Sequence, residues 1–404
     1  MNPTQQQIQQ HADTIPPPKG LTTIVALTSM IGPFTIDTYL PSFPAIEAEF
    51  AISRALLTQS LAFYLAAFAV STLVLGPLAD RLGRRPVVLV TLLVYVAASV
   101  GCALAADYGT FLLFRLLQGA AAGGGLVAGR AMIRDAFNPQ DAQRAMSRVM
   151  MLFALAPAVA PVIGGWLHDV FGWHSVFYFL ALYSSLVFIL ILLRIPETLP
   201  LTQRQSFHPV SVARIYGRTL SHRRFQTLVF IVGCYFGGMF LYVAGAPTVI
   251  FDFLQLQSND FAVLFLPMVA GLICGAWISG RLSHRWQAEQ TTSLALILLV
   301  VGTLLNSAQA LWLSQSVITA VLPLVVYTIG IGLAMPAMTV LSLDCFPDNR
   351  GSASAMQGFI QMLGNALISS LAVPLLSLQP AYMALGQTAL IVMACLLWLQ
   401  RPAA

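Results

Sequence analysis

Two charged residues lie where charge is costly. Asp37 sits in the apolar run 21–43, within the stretch IGPFTIDTYLP, and Arg115 sits in the run 109–132, within FLLFRLLQG. Each lies about six residues from the same end of its run, or roughly 9 Å below one surface at 1.5 Å per residue. A carboxylate at that depth costs several kcal/mol unless it is paired, hydrated or protonated. Opposite charges at matched depth on helices that can approach each other predict a pair. The chemistry open to such a pair is reversible protonation: Asp37 takes a proton from outside, and Arg115 competes with it. A fixed structural ion pair is the alternative reading of the same residues.

A second constellation is GPLADRLGRRP, residues 76–86, set between the apolar runs 56–79 and 87–106. Its Arg81, Arg84 and Arg85 belong on the cytoplasmic side by the positive-inside rule. Asp80, at the inner end of a span, can cap a neighbouring helix N-terminus, for which the expected partner is the chain around Gly351 and Ser352. Arginines beside it can reach acids or lipid phosphates. Asp80, Gly76 and Gly83 are not explained by topology alone. A third feature is APAVAPVIGG, residues 156–165. Pro157 and Pro161 remove backbone hydrogen bonds one turn apart, and Gly164 and Gly165 allow close helix approach.

The elements that must position these groups follow from hydropathy. Apolar runs lie near 21–43, 56–79, 87–106, 109–132, 147–168 and 174–194, then near 225–250, 260–281, 291–312, 316–341, 353–376 and 381–400. Each is close to the ~20 residues that cross a bilayer core. The expected fold is an all-α integral membrane protein of twelve transmembrane helices in two six-helix bundles, with both termini cytoplasmic. Residues 1–20 read as a flexible cytoplasmic tail, 21–194 as the first bundle, 195–224 as a cytoplasmic linker and 225–404 as the second bundle. The charges agree: alternate loops collect the arginines, whereas the opposite loops hold Arg54 among Glu47, Glu49, Asp107, Asp169, Asp252 and Asp260. A faint repeat, Arg81-Leu82 against Arg281-Leu282, fits parallel halves that meet around a midplane cavity.

Composition excludes several classes. Only 9% of the 404 residues are charged and 58% are hydrophobic, against about 25% charged in soluble proteins. The net charge of +5 is accounted for by the loops, so no nucleic-acid partner is expected. Lys19 is the sole lysine, and it precedes the first span. That removes a Walker-type phosphate loop and a buried Schiff base. The five cysteines show no metal-ligand spacing, and the six histidines are scattered over tails, loops and span ends. No metal, no cofactor and no enzymatic activity are expected; the energy source is a proton gradient.

A cavity is sought on polar and soft faces. Gln357, Gln361 and Asn365 recur every four residues and share one helix face. Tyr235, Met239 and Tyr242 form another, of a kind that suits varied apolar ligands. Tyr39 and Gln118 flank the two embedded charges and complete the candidate set.

Taken together, IDTYLPSFPAI, GPLADRLGRRP, FRLLQG, APAVAPVIGGW and FPDNRGSASAMQGFIQMLGNALIS resemble the drug:proton antiporters of the major facilitator superfamily, most closely the bicyclomycin-resistance type. The resemblance implies proton coupling at Asp37 with support from Arg115. It also implies a gating loop at Asp80 and its arginines, and an exporter kink over Pro157–Gly165. The implied activity is export of drugs or other small amphipathic compounds across a bacterial inner membrane, by a multi-pass protein working as a monomer. A proton-coupled carrier of one specific metabolite is the alternative. The sequence departs from the pattern in its degenerate second loop and in lacking an acid deep in the second half.

Overall fold

The computed structural model describes residues 18–204, 209–346 and 350–402, so most of the expected tail 1–20 lies outside the described residues. The described elements are helical, and twelve helices are long and apolar enough to cross a membrane. We number them α1 (Leu21–Asp37), α2 (Arg54–Leu82), α3 (Arg84–Ala103), α4 (Tyr108–Ala136), α5 (Pro139–Phe171) and α6 (His174–Arg194), then α7 (Arg223–Ala244), α8 (Ala262–Leu282), α9 (Ala288–Trp312), α10 (Val317–Asp344), α11 (Arg350–Leu367) and α12 (Pro380–Leu399). The first span does not end with α1: it runs on through a short 3₁₀ turn and the helix Phe43–Phe50. An amphipathic helix, Pro209–Ser221, joins the two sets of six.

Helix starts are written locally. Ser53 and Asp107 accept the amides of Leu56 and Thr110, and Asn138 followed by Pro139 opens α5, so each start has an acceptor or a proline where backbone donors have no partner. Between α2 and α3 the chain reverses on a single residue, Gly83, at φ +106°. A side chain at that φ is strained, which explains why glycine stands there.

The second six helices repeat the packing of the first. In one set α4 lies against α2 and α3; in the other α10 lies against α8 and α9. These contacts bring backbones together through glycine, as membrane helices do when no hydrophobic force draws them together. A Cβ on Gly119 would overlap the Tyr64 carbonyl of α2, and one on Gly275 would overlap the Ile329 carbonyl of α10. Leucines such as Leu193, Leu322 and Leu399 stay exposed on the outer surface, where lipid tails would cover them.

The acid-rich ends of the two sets are fastened to each other. Arg54 at the start of α2 donates to Glu47 at 2.8 Å and pairs with Asp252 of the second half. Gln59 Nε2 donates to the Ser370 carbonyl at 2.9 Å, and Ser370 Oγ donates back to Gln59 Oε1 at 2.7 Å. Asn259 donates to Asp169 across the same seam.

Gly119→Ala is expected to cost about 1–3 kcal/mol, because the new methyl group meets backbone rather than a movable side chain. Gly233→Ala, with open space around it, should be neutral or stabilise by about 0.5–1 kcal/mol. Thermal unfolding in detergent separates the two, and equal melting points would refute the backbone-contact account.

Candidate functional site

The embedded acid stands at a break in the first span. Pro33 removes one hydrogen bond inside α1, and the helix stops at Asp37 ahead of Pro41. The hydroxyls of Thr28, Ser29, Thr35 and Thr38 bond back to carbonyls four residues earlier, so each is satisfied within the helix itself. Asp37 is 3% exposed, and its Oδ1 is buried with no hydrogen-bond partner.

Arg115 is fully enclosed. Its Nη1 donates to Gln118 Oε1 at 2.9 Å and, more weakly, to the Thr35 carbonyl at 3.5 Å. The guanidinium carbon lies 4.3 Å from the centre of the Tyr39 ring and 4.8 Å from that of Tyr64. Desolvated contacts of this kind are worth about 2 kcal/mol each. Nε and Nη2 have no hydrogen-bond partner.

No ion pair joins Asp37 to Arg115, which corrects the contact expected from matched depth. The reason is azimuth. Arg115 meets α1 on the side of Thr35, and two residues further on Asp37 has turned about 200° around the axis. Tyr39 and Gln118 also change role. Both are 0% exposed, so neither lines a cavity. The Tyr39 ring faces the guanidinium, and Gln118 both accepts from Arg115 and donates to Ser99 Oγ at 2.8 Å. They hold the cation in place from behind.

The proline-glycine stretch of α5 reaches this site. Pro157 and Pro161 lie inside the helix, and a Cβ on Gly164 would overlap the carbonyl of Thr38, the residue after Asp37. A Cβ on Gly165 would overlap the carbonyl of Ser258, in the second half. One short segment therefore touches both the residue that follows the acid and the seam between halves.

At the arginine-rich end, Arg84 pairs with Asp80 and, through Nε, with Asp135 at 3.1 Å. No hydrogen bond ties Asp80 to Gly351 or Ser352; its carboxylate is turned to Arg84, across the reversal at Gly83. The acid that caps a helix here is Glu197. Its two oxygens accept the amides of Arg84 and Arg85 at 2.9 and 3.2 Å, at the positive end of the α3 dipole. Glu197 also lies 4.0 Å from Arg204 and fills the space that a Cβ on Gly83 would need. Arg85 donates to the Leu192 carbonyl at 2.8 Å, Arg81 stays exposed, and Gly76 lies against Val127. Nothing in the local pattern around Glu197 marks it as a cap, because its partners are 112 and 113 residues away.

In the second half the expected cavity residues separate. Tyr235 is 0% exposed inside the core, and Tyr242 accepts from Asn306 Nδ2 at 2.6 Å; these two leave the cavity wall. Asn306 also donates to Gln387, forming a closed polar network that helical spacing did not reveal. Met239 and Gln361 are half-buried. Gln357 Oε1 and Asn365 Oδ1 are buried without partners, which leaves the polar stripe of α11 unsatisfied by protein.

Glu197→Ala should free the amides at the start of α3 and cost about 1–2 kcal/mol. Hydrogen exchange read by mass spectrometry should show the amides of Arg84 and Arg85 exchanging faster while the rest of α3 is unchanged. No change at those amides would remove Glu197 from the cap.

Comparison with known proteins places this architecture. The Major Facilitator Superfamily model matches residues 25–369. The uncharacterized MFS-type transporter YdgK of Bacillus subtilis is 31% identical, covering 87% of this chain and 88% of its own length. A bicyclomycin resistance protein homolog of Haemophilus influenzae is 26% identical over 86% of this chain and 87% of its own. Multidrug resistance protein D of Escherichia coli is 25% identical over 94% and 95%. In fold, the chain is similar to a D-xylose-proton symporter, with a TM-score of 0.73 at 15% identity, covering 95% of this chain and 98% of that one. With the matched span covering most of the chain and twelve apolar helices to match, the protein belongs to the Major Facilitator Superfamily and is a multi-pass inner-membrane transporter of small molecules.

Proposed function

We propose that the protein exports drugs or other small amphipathic compounds in exchange for protons, by alternating access, and that Asp37 carries the proton. The observation that carries this reading is Asp37 itself: buried, at a break in the first span, with Oδ1 unbonded and no cation in contact. An uncompensated carboxylate there costs several kcal/mol, and a proton removes that cost. The names of the relatives, bicyclomycin resistance protein homolog and multidrug resistance protein D, support drugs as cargo and export as direction.

The proposed cycle uses the two ends of the molecule. With the arginine-rich loops on the cytoplasmic side, the fastened acid-rich seam closes the outer face. Opening that seam exposes Asp37 to protons from outside, and its protonation accompanies release of cargo outward. Closing it carries the proton to the inward-facing form, where the proton leaves and new cargo binds. Arg115, near α1 but not in contact with the acid, contributes a fixed positive charge that favours proton release. Each ligand shifts the two-state equilibrium only by its difference in affinity for the two states.

Two measurements test the cycle. In everted membrane vesicles, an imposed proton gradient should drive accumulation of chloramphenicol or a cationic dye, and Asp37→Asn should abolish it. Gradient-driven accumulation that survives the substitution would refute Asp37 as the proton site. Movement in the opposite direction would make the protein an importer. Arg54→Gln removes two ion pairs, and the one that crosses the seam, to Asp252, is worth up to about 1 kcal/mol, or roughly a fivefold population shift. A cysteine replacing Gln59 should then react faster with a membrane-impermeant maleimide added from outside; an unchanged rate would show that Arg54 does not fasten the seam.

A further inference from the structure

We propose that Arg130 is an anion-recognising residue on the cargo path, so that the compounds carried include amphipathic molecules bearing a carboxylate or another oxyanion. The inference rests on the transport reading above and names a substrate class for it.

Arg130 lies in α4, six residues before its last residue, or about 9 Å from that end of the helix. It shares a face with Arg115, since residues 115, 119, 122, 126 and 130 follow one another at helical spacing. The two guanidinium-bearing positions are about 22 Å apart along the axis. Neighbours give the azimuth. Gly129 packs on Val25 of α1, and Val127 packs over Gly76 of α2. Arg130 leaves the helix between those two contacts.

What sets Arg130 apart is its lack of a partner. It is half-buried, its Nε is buried without a hydrogen bond, and no carboxylate among the described residues pairs with it. The other sheltered arginines at this end each have a protein partner: Arg84 has Asp80 and Asp135, Arg204 has Glu197, Arg224 and Arg401 share Glu289, and Arg85 donates to the Leu192 carbonyl. Arg115, deeper in the same helix, is sealed in and engaged by Gln118 and two tyrosine rings. A charge within a span is tolerated when it faces a partner or a water-filled cavity. Arg130 has no protein partner, so water or cargo must serve it. A guanidinium is planar, permanently charged and forked, which fits a carboxylate or phosphate through two parallel hydrogen bonds.

Charge balance adds a consequence. Exchange of one proton for a neutral compound moves one positive charge inward, whereas exchange of one proton for a monoanion moves two. Export of the anion should therefore depend more steeply on membrane potential.

The test uses a matched pair, chloramphenicol and its anionic hemisuccinate ester, binding to the purified full chain in detergent. Wild type should bind the ester about tenfold or more tightly than the parent, and Arg130→Gln should erase that preference while parent binding stays within twofold. No preference in wild type, or a preference that survives in Arg130→Gln, overturns the proposal. If the glutamine variant does not fold, phenylglyoxal labelling of wild type decides: protection of Arg130 by the ester and not by the parent supports the assignment, and equal labelling overturns it. Vesicle transport of the neutral parent is scored separately, so a failure of export and a failure of anion recognition are told apart.

Discussion

Charge has almost nowhere to go in a bilayer, and the structure is shaped around the few charges it keeps there. A span without water must satisfy its backbone internally, which makes every crossing helical. An ionised side chain must then be hydrated, paired or wrapped. Arg115 is wrapped: two tyrosine faces, one glutamine and a backbone carbonyl surround it instead of a carboxylate. That arrangement leaves the acid of α1 uncommitted. Had Asp37 been locked to Arg115, the pair would have been a structural bridge, costly to break. Held apart, Asp37 is free to change its protonation state without dismantling the bundle.

Glycine provides the close contacts that make such wrapping possible. α2 and α4 meet at Gly119 and Gly123, α1 and α4 at Gly125 and Gly129, and α8 and α10 at Gly275 and Gly332. Backbones this close leave no slack, so a shift in one helix is passed to its neighbour. Gly164 and Gly165 extend the same principle across functional boundaries. Consecutive residues of α5 press on the segment that follows Asp37 and on the second half of the molecule.

The two ends differ in how they are tied. At the acid-rich end the polar contacts cross between halves, through Arg54, Gln59 and Asn259. At the arginine-rich end the cluster of Asp80, Arg84, Asp135 and Glu197 is internal to the first six helices and the strand of chain leaving α6.

Much of this was legible in the chain. Apolar runs of the right length and arginines on alternate loops determined twelve helices, because both signals are read along a single segment. The depth of Asp37 and Arg115 and the positions of Pro157 and Pro161 inside α5 are equally local, and each could be placed by counting. Partners could not be placed that way. Whether Asp37 meets Arg115 depends on the direction each leaves its helix and on which helices adjoin. Glu197 caps α3 from more than a hundred residues away, and Tyr39 and Gln118 moved from a cavity wall to the support of a cation. Arg130 lies inside the apolar run 109–132 and was passed over in the sequence; its want of a counter-ion appears only in the structure. The sequence alone determined depth and helical order, since these follow from the rise per residue and the cost of burying charge. Azimuth and pairing were decided by tertiary structure, because they depend on which surfaces two separate helices press together.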